Sequence, residues 1–385
     1  MRTDARTAAP HATPARQPDE ADHVSTDPQG GLTPPTSLLI LQERIDRALA
    51  RELEPALEEL VGLSPDLASI AHELRDVTAS GKRIRPALLL LGFQAAGGVT
   101  LEPVEGPALA LELLHTCALL HDDVIDRAAT RRGRPTTHET FAAQHRAAGW
   151  SGDATGFGEA MAILIGDLAF VYADRFFLDA AIPETPLLQA FRRFTTLREE
   201  VMAGQTLDVH AATSGMADRD AALTIATLKS GRYSVARPLE IGALLAGAPT
   251  EVVDGLGAFG DPLGRAFQIR DDLLGVFGDA RTLGKSTASD LAEGKRTLLI
   301  AEALARLDEA GRTALLQDLG DPDLDDARAD RLRELIESCG ARAATEHYVE
   351  AAVADARRVL ADLDVPAPVR EQLAAVATYL GERQI

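Results

Sequence analysis

Two aspartate-rich patches, about 150 residues apart, contain the residue types that point most directly to chemistry. The first, from Leu119, reads LLHDDVIDRAATRRGRP, and the second, from Phe267, reads FQIRDDLLGVFGD. Both follow apolar runs, and basic residues follow both. Carboxylate oxygens are preferred ligands of Mg²⁺, and basic side chains bind phosphate oxygens. The pattern therefore predicts divalent metal ions that hold a phosphorylated substrate.

The first patch has a spacing that suits metal ligands on a helix. Asp122 and Asp126 are four residues apart and lie on one helix face, and Asp123 is rotated by about a quarter turn. Like charges at this spacing repel, so the helix gains no stability from them. The preceding run LELLHTCALLH is apolar enough to be buried. Because buried carboxylates are costly without a cation, we favour a metal site over a solvated acidic helix end.

Basic residues accompany the first patch on both sides. Arg131 and Arg132 follow it, and the upstream segment GKRIRP supplies Lys82, Arg83 and Arg85. The planar guanidinium group of arginine matches phosphate oxygens. These residues are candidates for phosphate binding, with a solvated basic loop as the alternative for the upstream segment.

Composition limits the class of protein. The 385 residues are 46% hydrophobic with only 4% aromatics, which favours a large helical core. The formal charge of −20 argues against a nucleic-acid partner. Cys117 and Cys339 form no CxxC pair, which fits a reducing compartment. No apolar run has the length of a membrane span, and the N-terminus lacks a signal-peptide core, so we expect a cytoplasmic protein.

The chain divides into a short tail and one long helical region. Residues 1–36 contain six prolines and almost no large aliphatic side chain, which predicts a disordered tail. Helical periodicity runs from Ser37 to the end, and no segment shows convincing strand alternation. We therefore predict a single large all-α bundle over residues 37–385. Its first helix should bury one stripe, formed by Leu38, Ile45, Leu49, Leu53 and Leu57.

Taken together, the motifs resemble those of the trans-isoprenyl diphosphate synthases, or polyprenyl synthetases, most closely the geranylgeranyl type. They run in consistent order from Gly81 to Thr297: GKRIRP, DDVID with RRGRPT, GQTLD, FQIRDD and GKSTASDLAEGKRT. The resemblance implies an all-α bundle around a central apolar cavity, usually in a homodimer. It also implies Mg²⁺-dependent condensation of isopentenyl diphosphate with an allylic diphosphate, giving a longer trans-polyprenyl diphosphate.

The resemblance assigns roles to individual residues. Mg²⁺, in three ions, would be held by Asp122, Asp126 and Asp271, with support from Asp123 and Asp272. The allylic diphosphate would be bound by Arg131, Lys229 and Lys285, and isopentenyl diphosphate by Lys82, Arg85, His115 and Arg132. Gln205 and Asp208 would line the cavity mouth, Phe267 and Gln268 would flank the reacting carbons, and Lys295 would bind substrate. Core roles for His115 and Phe267, and surface roles for Lys229, Lys285, Gln205 and Asp208, remain open.

Two features bear on how this chain differs within the family. Gly275 replaces the last aspartate of the second motif, and Asp279 could compensate for it. Cys117 and Ala118 are small where short-chain members usually carry an aromatic residue, and Leu111 lies further back on the same helix. We therefore predict a deep pocket and a product of about twenty carbons or more.

Two other functions fit part of the sequence. A class I terpene cyclase shares the first acidic motif, but the second patch and GKRIRP do not suit it. A non-catalytic partner subunit of a prenyl synthase would explain Gly275, but the first patch is complete. Both alternatives are distinguished by incubation with isopentenyl diphosphate and allylic primers.

Overall fold

The computed structural model describes residues 32–215, 218–278, 289–321 and 323–382. This part of the chain is almost entirely helical, so the predicted all-α fold is confirmed. The helices are α1 (Thr36–Leu63), α2 (Ala68–Thr78), α3 (Ile84–Ala95), α4 (Glu105–Ile125), α5 (Thr137–Ala147), α6 (Ala154–Leu178), α7 (Glu184–Ser214), α8 (Arg219–Ile225), α9 (Arg237–Leu245), α10 (Thr250–Phe277), α11 (Ser289–Ala292), α12 (Leu298–Arg306), α13 (Glu309–Asp318), α14 (Asp326–Ser338), α15 (Ala341–Asp362) and α16 (Ala367–Glu382). A π-helical segment, Ala226–Ala236, joins α8 to α9, and 3₁₀ turns precede α2 and α4.

Within the described ranges, a short hairpin departs from the predicted all-helical pattern. Strands β1 (Thr130–Arg131) and β2 (Arg134–Pro135) pair antiparallel. The two turn residues between them, Arg132 and Gly133, have φ values of 52° and 74°. This left-handed pair is the conformation that a tight hairpin turn requires. Strands of two residues are too short to produce visible alternation in a sequence.

The first helix confirms the predicted buried stripe. Its five stripe residues are no more than 5% exposed: Leu38, Ile45, Leu49, Leu53 and Leu57. Helix α1 begins at Thr36, next to the predicted start of the helical region. Residues 1–31 lie outside the described part of the chain, so the disordered tail stays a prediction. No helix in the described ranges combines the length and apolarity needed to cross a bilayer.

Small residues allow the site-bearing helices to pack closely. A Cβ atom on Gly92 of α3 would lie 2.2 Å from the carbonyl oxygen of Leu239 on α9. A Cβ on Gly242 of α9 would lie 2.0 Å from the carbonyl oxygen of Leu89. Such distances exclude any side chain, so glycine lets the two backbones touch. This contact fixes α3 directly against α9.

A buried ionic network fixes α7 against α9. Arg237 pairs with Glu200 of α7 at 2.6 Å and with Glu240 at 2.7 Å, and Arg193 of α7 pairs with Glu240 at 2.6 Å. The glutamates are largely buried, and each is compensated by more than one guanidinium contact. Removing one partner would leave an uncompensated buried charge. The network therefore holds α7 in register with α9.

Candidate functional site

The first aspartate patch lies at the C-terminal end of α4. Asp122 and Asp123 occupy the last turn, and Asp126 caps the helix, with its backbone N–H donating to the Asp122 carbonyl at 2.8 Å. Arg127 then takes a left-handed conformation, with φ at 53°, and the chain leaves toward the hairpin. Carboxylates at a helix C-terminus meet the negative end of the helix dipole. Cations are therefore needed at this end of α4 to balance the charge of the carboxylates.

Arg131 supplies part of this positive charge. Its Nε donates to Oδ1 of Asp123 at 2.6 Å, and its Nη2 lies 3.5 Å from Oδ2 of Asp122. Asp123 is only 4% exposed. Burial raises the pKa of Asp123, although the Arg131 cation opposes the shift. The hairpin thus brings a guanidinium directly against the patch.

Helix α7 and the π-helical segment bring the middle motif to the same carboxylates. Gln205 Nε2 donates to Oδ1 of Asp122 at 3.0 Å. Lys229 Nζ donates to Asp208 at 2.6 Å and lies 3.7 Å from Asp122. Burial lowers the pKa of Lys229, but the Asp122 and Asp208 charges outweigh it, so the pKa is raised overall. The motifs GQTLD and DDVID therefore meet in space, as the resemblance implied.

The position of Lys229 depends on an irregular backbone. It lies in the π-helical segment, where the wider turn is rare and is often found at functional sites. A Cβ on Gly204 of α7 would lie 2.2 Å from the backbone nitrogen of Lys229. Glycine at this position lets α7 approach the π-helical backbone closely. Lys229 is thereby placed between Asp122 and Asp208.

The second aspartate patch lies near the C-terminal end of α10. Gln268 Nε2 donates to Oδ1 of Asp272 at 2.7 Å. Burial and the Asp290 charge raise the pKa of Asp272 to about 7. Asp271, Asp272 and Gly275 line a cavity of about 340 Å³. Its other lining residues include Asp208, Lys229, Gln268, Asp290, Lys295 and Arg296.

Lys295 connects the two patches. Its Nζ lies 4.0 Å from Oδ2 of Asp126 in the first patch and 3.4 Å from Oδ1 of Asp290 beside the second. Glu293 is a third partner, at 2.5 Å. Burial lowers the pKa of Lys295, but the surrounding carboxylates raise it overall. Patches far apart in the sequence therefore face each other across one cation.

The basic residues of the upstream segment GKRIRP lie in different environments. Arg83 is buried and pairs with Asp46 at 2.8 Å and with Glu112 at 2.6 Å, so this arginine stabilises the fold. Arg132, from the hairpin, donates to the Ser80 carbonyl at 2.6 Å and places the hairpin beside the segment that contains Lys82. Arg83 was predicted as a phosphate-binding candidate only because it is a basic residue of the same segment.

Arg85 and His115 meet at a residue that the sequence analysis missed. The Arg85 guanidinium lies 4.3 Å from the ring centroid of Tyr233, and the His115 ring lies 6.1 Å from the same ring. Burial and the Arg85 charge lower the pKa of His115 well below its usual value, so the ring is neutral. Arg85 Nε, His115 Nδ1 and the Tyr233 hydroxyl have no hydrogen-bond partner among the described residues. Buried polar atoms of this kind require a ligand or water. The only sequence signal for Tyr233 is its place four residues after Lys229.

The remaining predicted residues lie in the core or outside the described ranges. Phe267 and Leu111 are buried, as is Cys117, whose pKa burial raises to about 12. Ala118 is partly exposed. Lys285 and Asp279 fall on residues 279–288, outside the described part of the chain, so neither their predicted roles nor the compensation of Gly275 by Asp279 is tested.

The carboxylates fit divalent cations that also bind a phosphate. Burial, and after it the Asp122 charge, raise the pKa of Asp126 to about 6, so the ionised carboxylate is costly here without a cation. Among the described residues, no three acidic, histidine or cysteine side chains converge into a ready-made cage. Mg²⁺ uses one or two carboxylates and completes its shell with water and phosphate oxygens. Asp122, Asp126 and Asp271 would hold such ions.

Mg²⁺ is expected to raise the melting temperature more at about pH 8 than at about pH 6. The pKa values of about 6 for Asp126 and about 7 for Asp272 mean that protons compete with the metal at lower pH. A carboxyl group whose pKa is raised in the folded state loses stability, in the absence of metal, as the pH rises above the pKa that the group has in the unfolded chain. A bound dication offsets that loss. Calorimetric scans with increasing MgCl₂ measure the effect, and equal shifts at both pH values would contradict it.

Known proteins with this arrangement identify the family. The chain matches the family described as polyprenyl synthetase over residues 68–337. It is 33% identical over 330 residues to the geranylfarnesyl diphosphate synthase of Aeropyrum pernix, covering 84% of this chain and 97% of that one. It is also 33% identical over 342 residues to the (2E,6E)-farnesyl diphosphate synthase of Mycobacterium bovis, covering 88% and 89%.

Solved structures show the same likeness. The geranylgeranyl pyrophosphate synthase of Corynebacterium glutamicum, complexed with isoprenyl diphosphate and magnesium, superposes with a TM-score of 0.86 at 35% identity. The match covers 89% of this chain and 98% of that one. Together with the geometry of the two facing patches, these matches establish that the chain is a prenyl-group transferase of the polyprenyl synthetase family, the trans-isoprenyl diphosphate synthases.

Proposed function

We propose that this transferase uses Mg²⁺, in three ions, to condense isopentenyl diphosphate with an allylic diphosphate. The observation that carries the proposal is the position of Lys295, between Asp126 of the first patch and Asp290 beside the second. A diphosphate between the patches would have its charge neutralised by metal ions held on both sides and by Lys295. The Corynebacterium relative is described with isoprenyl diphosphate and magnesium, which supports the same ligand class here.

The protein's own side chains would act on the leaving group. The metal ions would stabilise negative charge on the departing diphosphate. Lys229, between Asp122 and Asp208, is a positioned cation at the same end of the cavity. When the allylic C–O bond breaks, the diphosphate leaves with the electron pair. The double bond of isopentenyl diphosphate attacks the allylic carbon, and the new chain loses a proton to the departed diphosphate.

A second diphosphate would bind near Arg85, His115 and Tyr233. The unpaired Arg85 Nε–H and Tyr233 hydroxyl are donors suited to a phosphate oxygen or a bound water. Arg132 lies nearby, since it contributes to the lowered pKa of His115 after burial and Arg85. A neutral His115 can donate from one nitrogen without adding to the local positive charge. This corner supports a reaction with two diphosphate substrates.

The product is proposed to have about twenty carbons or more. Ala118 lies one turn before Asp122 on α4, so a chain that grows from the metal site passes this position. Its small side chain offers no barrier there. The relatives are named for farnesyl and geranylfarnesyl products, so product length varies among proteins similar to this chain.

Incubation with Mg²⁺, isopentenyl diphosphate and one allylic primer at a time tests the proposal. The expected result is release of diphosphate and a longer prenyl diphosphate, and omission of isopentenyl diphosphate should abolish both. A cyclic hydrocarbon formed from the primer alone would favour a terpene cyclase. Absence of product with every primer, although Mg²⁺ and primer bind, would favour a non-catalytic partner subunit.

A homodimer is proposed from an exposed apolar stripe on α6. Leu164, Val171 and Leu178 follow one another at seven-residue spacing, and they are 57%, 59% and 46% exposed. Apolar residues on one helix face are typical of protein interfaces. Val171→Glu is expected to convert the dimer into a monomer in sedimentation equilibrium. A wild-type mass of one chain would contradict the proposal. The expected cytoplasmic location remains a prediction.

A further inference from the structure

One face of α7 follows the π-helical segment over about two turns. Glu200, Gly204 and Asp208 lie four residues apart on this face, and each of them contacts the segment. Glu200 Oε1 accepts from Arg232 Nη1 at 2.9 Å, and Asp208 accepts from Lys229 Nζ at 2.6 Å. Between these contacts, Gly204 admits the backbone of Lys229. The stretch from Lys229 to Arg232 is therefore held against α7 at both of its ends.

Helix α10 holds the same stretch from another side. Arg232 Nε donates to Oδ1 of Asp261 at 3.2 Å, and Arg232 Nη2 donates to Oδ2 at 3.4 Å. Three residues further along α10, a Cβ on Gly264 would lie 2.2 Å from the carbonyl oxygen of Gly231, which excludes any side chain there. The π-helical backbone thus lies directly against α10.

Arg232 bridges α7 and α10 with one guanidinium group. Both helices contribute cavity residues further along: Asp208 on α7, and Gln268 and Asp272 on α10. Arg232 itself does not line this cavity. Its side chain is 32% exposed, with the methylene stem and charged group on the outer side of the packed helices. Any effect of Arg232 on the reaction must therefore pass through the residues that it holds in place.

We infer that Arg232 is a positioning residue for Lys229: its bridge between α7 and α10 fixes the π-helical turn that places the Lys229 ammonium between Asp122 and Asp208. The inference rests on the proposed condensation, in which Lys229 is a cation beside the departing diphosphate. A lysine side chain is flexible, with four methylene groups, so its carboxylate partners alone do not fix the ammonium. The backbone that carries it must be held as well.

A double-mutant cycle tests whether Arg232 acts through Lys229. Arg232→Met keeps the stem and removes both contacts, and it should lower kcat by roughly 10- to 10²-fold through misplacement of Lys229. Lys229→Met should lower kcat by roughly 10²- to 10³-fold. The double variant should be no more than about threefold slower than Lys229→Met, because the positioned group is already lost. Losses that multiply in the double variant would overturn the inference.

Arg193→Met is the matched control. The Arg193 side chain is 31% exposed and also joins α7 to a glutamate, Glu240 of α9, but it does not contact the stretch from Lys229 to Arg232. Its kcat should stay within about twofold of wild type. Both arginine variants should lower the melting temperature by only about 2–4 °C, since each arginine is partly exposed. A loss of kcat in Arg193→Met equal to that in Arg232→Met would also contradict the inference.

Amide hydrogen exchange over residues 226–236 gives a readout that does not depend on product formation. Exchange in this segment should be at least about fivefold faster in Arg232→Met, and unchanged in Lys229→Met and Arg193→Met. An inactive wild-type protein would contradict the proposed function. An active wild-type protein whose exchange is unaffected by Arg232→Met would contradict the positioning role alone.

Discussion

Asp122→Asn is expected to lower kcat by roughly 10²–10³-fold, a loss typical of removing one electrostatic contact to the transition state. Asp122 is the point where Gln205, Lys229 and Arg131 converge, at 3.0, 3.7 and 3.5 Å. Asparagine has nearly the same size and keeps one acceptor oxygen. It removes the negative charge that a divalent cation would require. The measurement is steady-state and single-turnover kinetics with saturating Mg²⁺.

Stability measurements separate this effect from a folding defect. The Asp122 charge is second to burial among the causes that raise the pKa of Asp126 to about 6. Removing it should bring the pKa of Asp126 down toward its usual range and leave the metal-free melting temperature close to wild type. Asp254→Asn, on the exposed face of α10, is the matched control and should retain full activity. A kcat for Asp122→Asn within about threefold of wild type would exclude the metal-binding role.

Ala118→Phe is expected to shorten the main product by about one or two isoprene units. Ala118 is one helical turn before Asp122, so both side chains lie along the same face of α4. The position is partly exposed, which leaves room for a larger side chain without disrupting the core. The phenyl ring would then occupy volume that the growing chain needs. Chromatography of the dephosphorylated products measures the chain length.

A graded series makes this result specific. Ala118→Val and Ala118→Leu should shorten the product less than Ala118→Phe, in order of side-chain volume. Cys117→Phe is a poorer probe, because Cys117 is 2% exposed and its sulfur contacts His121. We expect it to lose about 1–3 kcal/mol of stability through overpacking. An unchanged product length throughout the Ala118 series would show that this helix face does not limit chain growth.

Helical periodicity was enough to predict an all-α fold and the buried face of α1. The stripe from Leu38 to Leu57 is buried as expected, because apolar residues at helical spacing must pack against something. The hairpin at Arg131 escaped prediction because its strands have two residues each. Its tight turn depends on left-handed backbone at Arg132 and Gly133. The sequence signal for such a turn is weaker than the surrounding helical pattern.

Within the candidate site, sequence reasoning found the carboxylates but could not assign every cation. Arg83 has the same residue type as Arg85 and lies two positions away, yet it is buried against Asp46 and Glu112. Tyr233 was missed because an isolated tyrosine in a helical run has no distinctive spacing. Asp290 was missed because its place in the cavity wall beside Asp271 and Asp272 depends on how separate segments pack.

The order and chemical type of the motifs were readable from the residues, since metal and phosphate binding require carboxylates and cations. Their pairing was not readable, because it depends on how the helices pack. Close glycine contacts such as Gly204 against Lys229, and the placement of Lys295 between Asp126 and Asp290, arise when distant segments share a surface. Local patterns specify which face of a helix is apolar. Contacts between helices specify which carboxylate meets which cation, and this set the roles of Arg83, Tyr233 and Asp290.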